Sequence, residues 1–154
     1  LIADPAARLS HEFTCRVYYE DTDMAGIVYY ANYLKFIERA RSKFVRELGV
    51  DQSDMRLNQN MVFAVRKLVA DYLKPAVFDD QLTVITTPHS ATAARLLLNQ
   101  DVMRADVLLF RAEVTLVCLS ASGRPLRLPK ILLLDAGFGC ISKNAIFSPD
   151  FSKP

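Results

Sequence analysis

The sequence predicts an α+β fold: one long helix packed on a curved antiparallel sheet. Two observations predict it. A single stretch, residues 31–48, carries apolar side chains at spacings of three and four, the period of an amphipathic helix. The other ordered stretches are short runs rich in β-branched and apolar residues, one before that helix and four after it. Helices and strands do not alternate along the chain, which disfavours a doubly wound parallel sheet, and no internal repeat interrupts the pattern.

In order, residues 1–10 form a lead-in, and residues 11–20 read as a strand, with Phe13, Cys15, Val17 and Tyr19 alternating against Thr14, Arg16 and Tyr18. Residues 21–30 turn around Gly26. The helix follows, its apolar face read as Leu34, Ile37, Phe44, Val45 and Leu48, and Gly49 stops it because glycine tolerates the left-handed backbone after a helix end. Residues 51–60 are short-helical or irregular, and residues 62–74 form a long strand ended by Pro75. Residues 81–87 alternate Leu82, Val84 and Thr86 against Thr83, Ile85 and Thr87, and 88–92 read as a connection. Strands at 93–103 and 107–119 follow, then a turn by composition at 120–125. The domain is expected to span residues 11–135, with 136–154 as a C-terminal tail.

Composition narrows the function classes. The 154 residues suit one domain, and 51% hydrophobic against 23% charged residues supports a filled core rather than disorder. No apolar run approaches about 18 residues, so no transmembrane span is expected. The N-terminal stretch lacks the basic start and apolar core of a signal peptide, and a cytoplasmic protein is expected. Cys15, Cys118 and Cys140 are widely spaced, and His11 and His89 are the only histidines, an arrangement that does not cluster the ligands of a zinc site. A net charge of +2 does not suggest nucleic-acid binding. From Ser122 onward, however, Arg124, Arg127, Lys130, Lys143 and Lys153 face only Asp135 and Asp150, so this region either meets a phosphate-bearing ligand or anionic surface, or is a solvated tail.

The segment from Val17 to Arg41, VYYEDTDMAGIVYYANYLKFIERAR, resembles the YbgC-type acyl-CoA thioester hydrolases of the 4-hydroxybenzoyl-CoA thioesterase branch of the hot-dog superfamily. A second stretch agrees: DYLKPA from Asp71, then Phe78, Asp79 and Asp80, and the run LTVIT. A weaker third match is GRP and LPK within residues 123–130. The resemblance implies a hot-dog fold, an antiparallel sheet of about five strands wrapped around the long helix. It implies homodimers joined edge to edge, often homotetramers, with sites at the junction. It also implies an acyl-CoA substrate and no metal or organic cofactor, coenzyme A being part of the substrate.

Thioester hydrolysis needs a nucleophile or base at the carbonyl, donors for the oxyanion, and a grip on the carrier. Asp23 matches the family's catalytic aspartate, which would either add to the carbonyl or deprotonate water. Read from the residues alone, Asp23 is more readily a turn or capping aspartate than a catalytic one; Asp21 is expected to fix the loop by hydrogen bonds. Burial beside aromatic rings would leave the Asp23 carboxylate poorly solvated. The first amides of a helix lack internal partners and carry partial positive charge. Tyr30 matches the family's backbone donor position, with Ala31 next, and Gly26 lets the chain turn sharply between acid and helix. Tyr30 stands where many YbgC-type sequences carry histidine, so a backbone role survives and an imidazole role does not. Tyr19 matches a tyrosine near the site in such relatives, or is a strand aromatic in the core. Arg124, Arg127 and Lys130 are candidates for the coenzyme A phosphates. Glu38 and Arg41 are spaced to pair on one helix face. His89 reads as a surface or ligand-adjacent residue. The rival functions are a hot-dog module that binds acyl-CoA or an acyl carrier protein without hydrolysis, within an envelope or lipid-synthesis assembly, and a hydratase, which would need a histidine in the motif.

Overall fold

The computed structural model describes residues 10–133. Strand β1 (His11–Arg16) leads through a turn of 3-10 helix at Tyr19–Asp21 and a loop into helix α1 (Asn32–Glu47). A short helix α2 (Gln52–Asn58) precedes β2 (Val62–Tyr72), β3 (Gln81–Ala91), β4 (Leu96–Arg104), β5 (Val107–Leu119), β6 (Pro125–Leu126) and a final turn of helix, α3 (Lys130–Leu133). The main strands order β1-β3-β4-β5-β2, with every pairing antiparallel and β6 added to β5. This is the expected α+β architecture with six strands, the sixth being the two-residue return of the 120–125 turn. The expected tail, 136–154, lies outside the described residues, as do most of the lead-in and Cys140. Among the described residues, no helix is long and apolar enough to cross a membrane.

The sheet wraps α1 because both present apolar faces of matching period. Phe36, Ile37, Ala40, Phe44 and Val45 of the helix are buried with Leu82 and Val84 of β3, Leu96, Leu98 and Val102 of β4, and Phe110, Ala112 and Val114 of β5. Each large side chain buried there contributes about 1.5–3 kcal/mol. Of the expected face, Ile37, Phe44, Val45 and Leu48 are buried and one residue is not. Leu34 is exposed at 40%, while Tyr33, Phe36 and Ala40 are buried. The helix ends as expected: Gly49 has φ +92°, a conformation that strains any side chain, and a Cβ there would also press the flexible tip of Ile131 at 3.2 Å.

Strands β1 and β3 differ in extent from expectation. β1 ends early, at Arg16, because Val17 turns to hydrogen-bond Asp80 and Asp79 across the gap. At its other end, β1 reaches only to His11, opposite Thr86. Among the described residues, one side of β3 beyond Thr86 has no strand neighbour, and β3 continues through Pro88 to Ala91 along β4. A proline is tolerated at such a strand margin, and the register shifts just after it, between Pro88 and Ser90.

The ladder also places a polar strip inside. Thr86 and Gln100 are fully buried; the Gln100 carboxamide donates to Ile37 C=O and Thr86 Oγ1, both at 2.9 Å, and accepts from Arg41 at 2.9 Å. Glu38, expected to pair with Arg41, instead accepts from Ser42 Oγ at 2.6 Å.

Candidate active site

The loop between β1 and α1 is folded by its own backbone. Asp23 N–H donates to Ile27 C=O at 2.9 Å and Gly26 N–H donates to Asp23 C=O at 3.0 Å, while Thr22 and Val28 form an isolated bridge. Gly26 has φ +78° with no atom near its Cβ position, so glycine serves the turn's conformation there and not a close approach. Oδ1 of Asp23 accepts from Ala25 N–H at 2.9 Å. A second isolated bridge, Ile27 to Val77, and the bond from Val28 N–H to Ala76 C=O tie the loop to the segment after β2.

Asp21, two residues away, has a different task. It is buried, its carboxylate accepts from Tyr18 N–H at 2.8 Å, and its carbonyl accepts from Tyr29 N–H and from the Asn32 side chain, each at 2.9 Å. Asp21 thus fastens both ends of the loop, and Asp23 is the acid that remains at the surface.

The second motif supports the loop from the other side. The Tyr33 hydroxyl accepts from Ala76 N–H at 3.0 Å, and Asp80 accepts from Val77 N–H and from Arg104 at 2.9 and 2.7 Å. The result is a cleft of about 400 Å3 whose walls include Asp23, Val28, Tyr30, Tyr33, Tyr72 and Pro75. Tyr33 lies stacked on Phe110 with centroids 4.9 Å apart, and Tyr72 meets Phe110 edge-on at 5.0 Å, so this wall is a packed aromatic block. Burial raises the phenols of Tyr33 and Tyr72 above the ordinary tyrosine value, and the adjacent Tyr30 raises Tyr29. All three stay neutral donors at neutral pH.

At the helix start, two consecutive peptides have anchored carbonyls. Tyr29 C=O accepts from Asn32 N–H at 2.8 Å, and Tyr30 C=O accepts from the Tyr72 hydroxyl at 2.9 Å. Among the described residues no acceptor engages the N–H of Tyr30 or of Ala31. Tyr30 lines the cleft with Asp23 and Ala31 follows it at the helix start; amides without internal partners at a helix N-terminus can receive negative charge developing on a carbonyl oxygen.

The structure therefore gathers Asp23, Gly26, Tyr30 and Ala31 at one loop and helix start. It does not bring the other candidates there within one chain. Tyr19 is 82% exposed and meets Phe78 edge-on at 6.3 Å, so it is neither a core aromatic nor part of the cleft wall. Arg124 lies in the β5–β6 turn beside the Val62 end of β2, whereas the cleft lies at the Tyr72 end. Ten strand steps separate those ends, roughly 33 Å. Arg127 and Lys130 follow on the same side of the chain as Arg124, Arg127 exposed and Lys130 half-buried. Asp23 is exposed in the single chain, so the expected burial beside aromatic rings is not supplied by this chain alone. Tyr72 is the residue that sequence reasoning missed: it stood in the second motif, but its partner is 42 positions away in the chain.

A family model described as Thioesterase-like superfamily matches residues 17–151. The acyl-CoA thioesterase YbgC of Haemophilus influenzae is 40% identical over 119 residues, 77% of this chain and 88% of that protein. The acyl-CoA thioesterase YbgC of Helicobacter pylori (strain J99) is 34% identical over 136 residues, 88% of each. Among solved structures, a probable thioesterase from Bartonella henselae superposes with a TM-score of 0.76 at 34% identity, covering 79% of this chain and all of that one.

Proposed function

Since the chain belongs to the thioesterase-like superfamily, as a relative of the YbgC acyl-CoA thioesterases, we propose Asp23-dependent hydrolysis of an acyl-CoA thioester as its reaction. The family carries the first part: the chain is an acyl-CoA thioester hydrolase, splitting R–CO–S–CoA and water into a carboxylic acid and coenzyme A. The observation that supports the second part is that the surface carboxylate of Asp23 and Tyr30, whose N–H and the next one meet no acceptor among the described residues, line one cleft.

The carbonyl oxygen sits against the amides of Tyr30 and Ala31, which gain strength as negative charge grows on it. Asp23 acts on the carbonyl carbon from the other side. It either adds to that carbon, expelling the thiolate and leaving a mixed anhydride for water to open, or takes a proton from the water that adds. In both cases the C–S bond breaks and the thiolate leaves as coenzyme A. Removing an oxyanion donor of this kind costs about 2.7–4 kcal/mol.

The distance between the cleft and Arg124 supports a dimer as the working unit. β2 is an edge of the sheet, with Val65 and Val69 about half exposed on it. An unpaired apolar edge of this length invites pairing. Two β2 edges meeting antiparallel about a twofold axis would set Arg124 of the partner subunit near the Tyr72 end of the first, within reach of coenzyme A phosphates. Arg127 and Lys130 belong to the same proposed grip, and two such dimers would form a tetramer. The same pairing would cover Asp23 and bring Tyr19 under the partner's surface. Tyr30 in place of histidine supports a position in the 4-hydroxybenzoyl-CoA branch, and the free thiols of Cys15 and Cys118 accord with a cytoplasmic location. The test is thiol release from short, long and aromatic acyl-CoAs by the wild-type protein and by Asp23→Asn. Tight acyl-CoA binding without thiol release would favour a binding module instead.

A further inference from the structure

We propose that Tyr72 is a positioning residue for the oxyanion site: its hydroxyl holds the Tyr30–Ala31 peptide so that the two open amides face the incoming carbonyl. The inference rests on the reading of those amides given above, and adds a residue from a distant strand to it. In a regular helix the Tyr30 carbonyl would accept from the N–H of Leu34. Here Leu34 N–H turns to Ala31 C=O instead, at 3.2 Å, and the Tyr30 carbonyl is left for Tyr72 at 2.9 Å. A trans peptide points its C=O and N–H in opposite directions. Fixing the Tyr30 carbonyl against β2 therefore fixes Ala31 N–H away from β2, outward from the helix start. The preceding peptide is held the same way, by Asn32 N–H on Tyr29 C=O, which leaves Tyr30 N–H beside it.

The hydroxyl is itself held. The Tyr72 ring, half exposed on its other side, packs edge-on against Tyr30, Tyr33 and Phe110 at 6.2, 5.6 and 5.0 Å, contacts that favour the orientation it holds. Tyr72 is the last residue of β2, paired to Phe110, and the next two amides, of Leu73 and Lys74, both donate to Leu109 C=O. The donor thus projects from a clamped strand end. A hydrogen bond on the carbonyl also polarises the peptide, strengthening its N–H as a donor by an estimated 10–30%. Tyr72 touches no reacting atom in this scheme; it acts through the peptide it holds.

Tyr72→Phe tests this, because it keeps the ring and its packing and deletes only the donor. The expected result is a turnover number lowered roughly ten- to a hundredfold, less than the 10²–10³ for loss of a whole oxyanion donor. KM stays within about twofold, since the donors gain most on the transition state. In the 15N spectrum of the free protein the Ala31 amide shifts upfield as its peptide loses polarisation, while the thermal midpoint stays near wild type. Wild-type turnover in Tyr72→Phe, or a loss confined to KM, would overturn the proposal. The Asp23 assignment fails separately: full turnover in Asp23→Asn beside impaired turnover in Tyr72→Phe would remove the acid and keep the positioning role.

Discussion

The guanidinium of Arg41, on α1, donates to Gln100 Oε1, on β4, at 2.9 Å inside the fold. Gln100 is fully buried and spends its amide hydrogens on Ile37 C=O and Thr86 Oγ1. Burial pulls the Arg41 guanidinium below its ordinary pKa, though Glu38 nearby opposes the shift. One side chain thus ties helix to sheet and is the hydrogen-bond acceptor of a largely buried charge. Gln100→Leu should destabilise the protein by about 1.5–3 kcal/mol, the range for hydrogen bonds to charged groups. Urea unfolding checks the value, and a cycle with Arg41→Met should show the losses to be non-additive, because removing the charge removes the need for its acceptor.

Cys118 gives a prediction with a defined pH window. Its side chain is buried in β5, and burial pushes its thiol up to about 12. An unfolded chain ionises the same thiol near its usual value of about 8.5. The folded state therefore binds more protons than the unfolded state between those values, and stability falls as pH rises from about 9 toward 12. Tyr33 and Tyr72, also raised by burial, add to the alkaline end of the decline. Urea midpoints measured from pH 8 to pH 11 should fall less steeply in Cys118→Ala than in wild type. Rapid alkylation of Cys118 in the native protein at pH 8.5 would contradict the burial.

The edge of the sheet supplies a third. Val69 lies half exposed in the middle of β2, and lysine is a side chain that discourages edge pairing. On the proposed pairing of β2 edges, Val69→Lys should yield a monomer by sedimentation and lower thiol release together, with the circular dichroism of the subunit retained. Full activity in a clean monomer would show that one chain completes the site.

What the chain disclosed by itself follows from the range of the forces involved. α1 was legible because its period and its glycine stop are local. Its full face was not, since Leu34 satisfies the same spacing rule as Tyr33, Phe36 and Ala40, and only the shape of the sheet decides which is buried. Pro88 reads as a breaker until β1 is known to end opposite Thr86. The loop acids were separable by family resemblance, and the structure gives the physical difference: each carboxylate accepts one backbone amide, but Asp21 is buried within the loop whereas Asp23 is exposed. Tyr72, Gln100 and the separation of Arg124 from the cleft depend on contacts between distant segments, which no local pattern encodes.

The central claim is that the Asp23 carboxylate performs the attack or activates the water that does. The most direct measurement is the turnover number of Asp23→Asn for free-thiol release from an acyl-CoA that the wild-type protein hydrolyses. The substitution keeps shape and local hydrogen bonding, so the thermal midpoint should be unchanged while turnover falls by roughly 10²–10⁴, the reach of a general acid–base group. Turnover equal to wild type in that variant, from a preparation free of other thioesterases, would contradict the account.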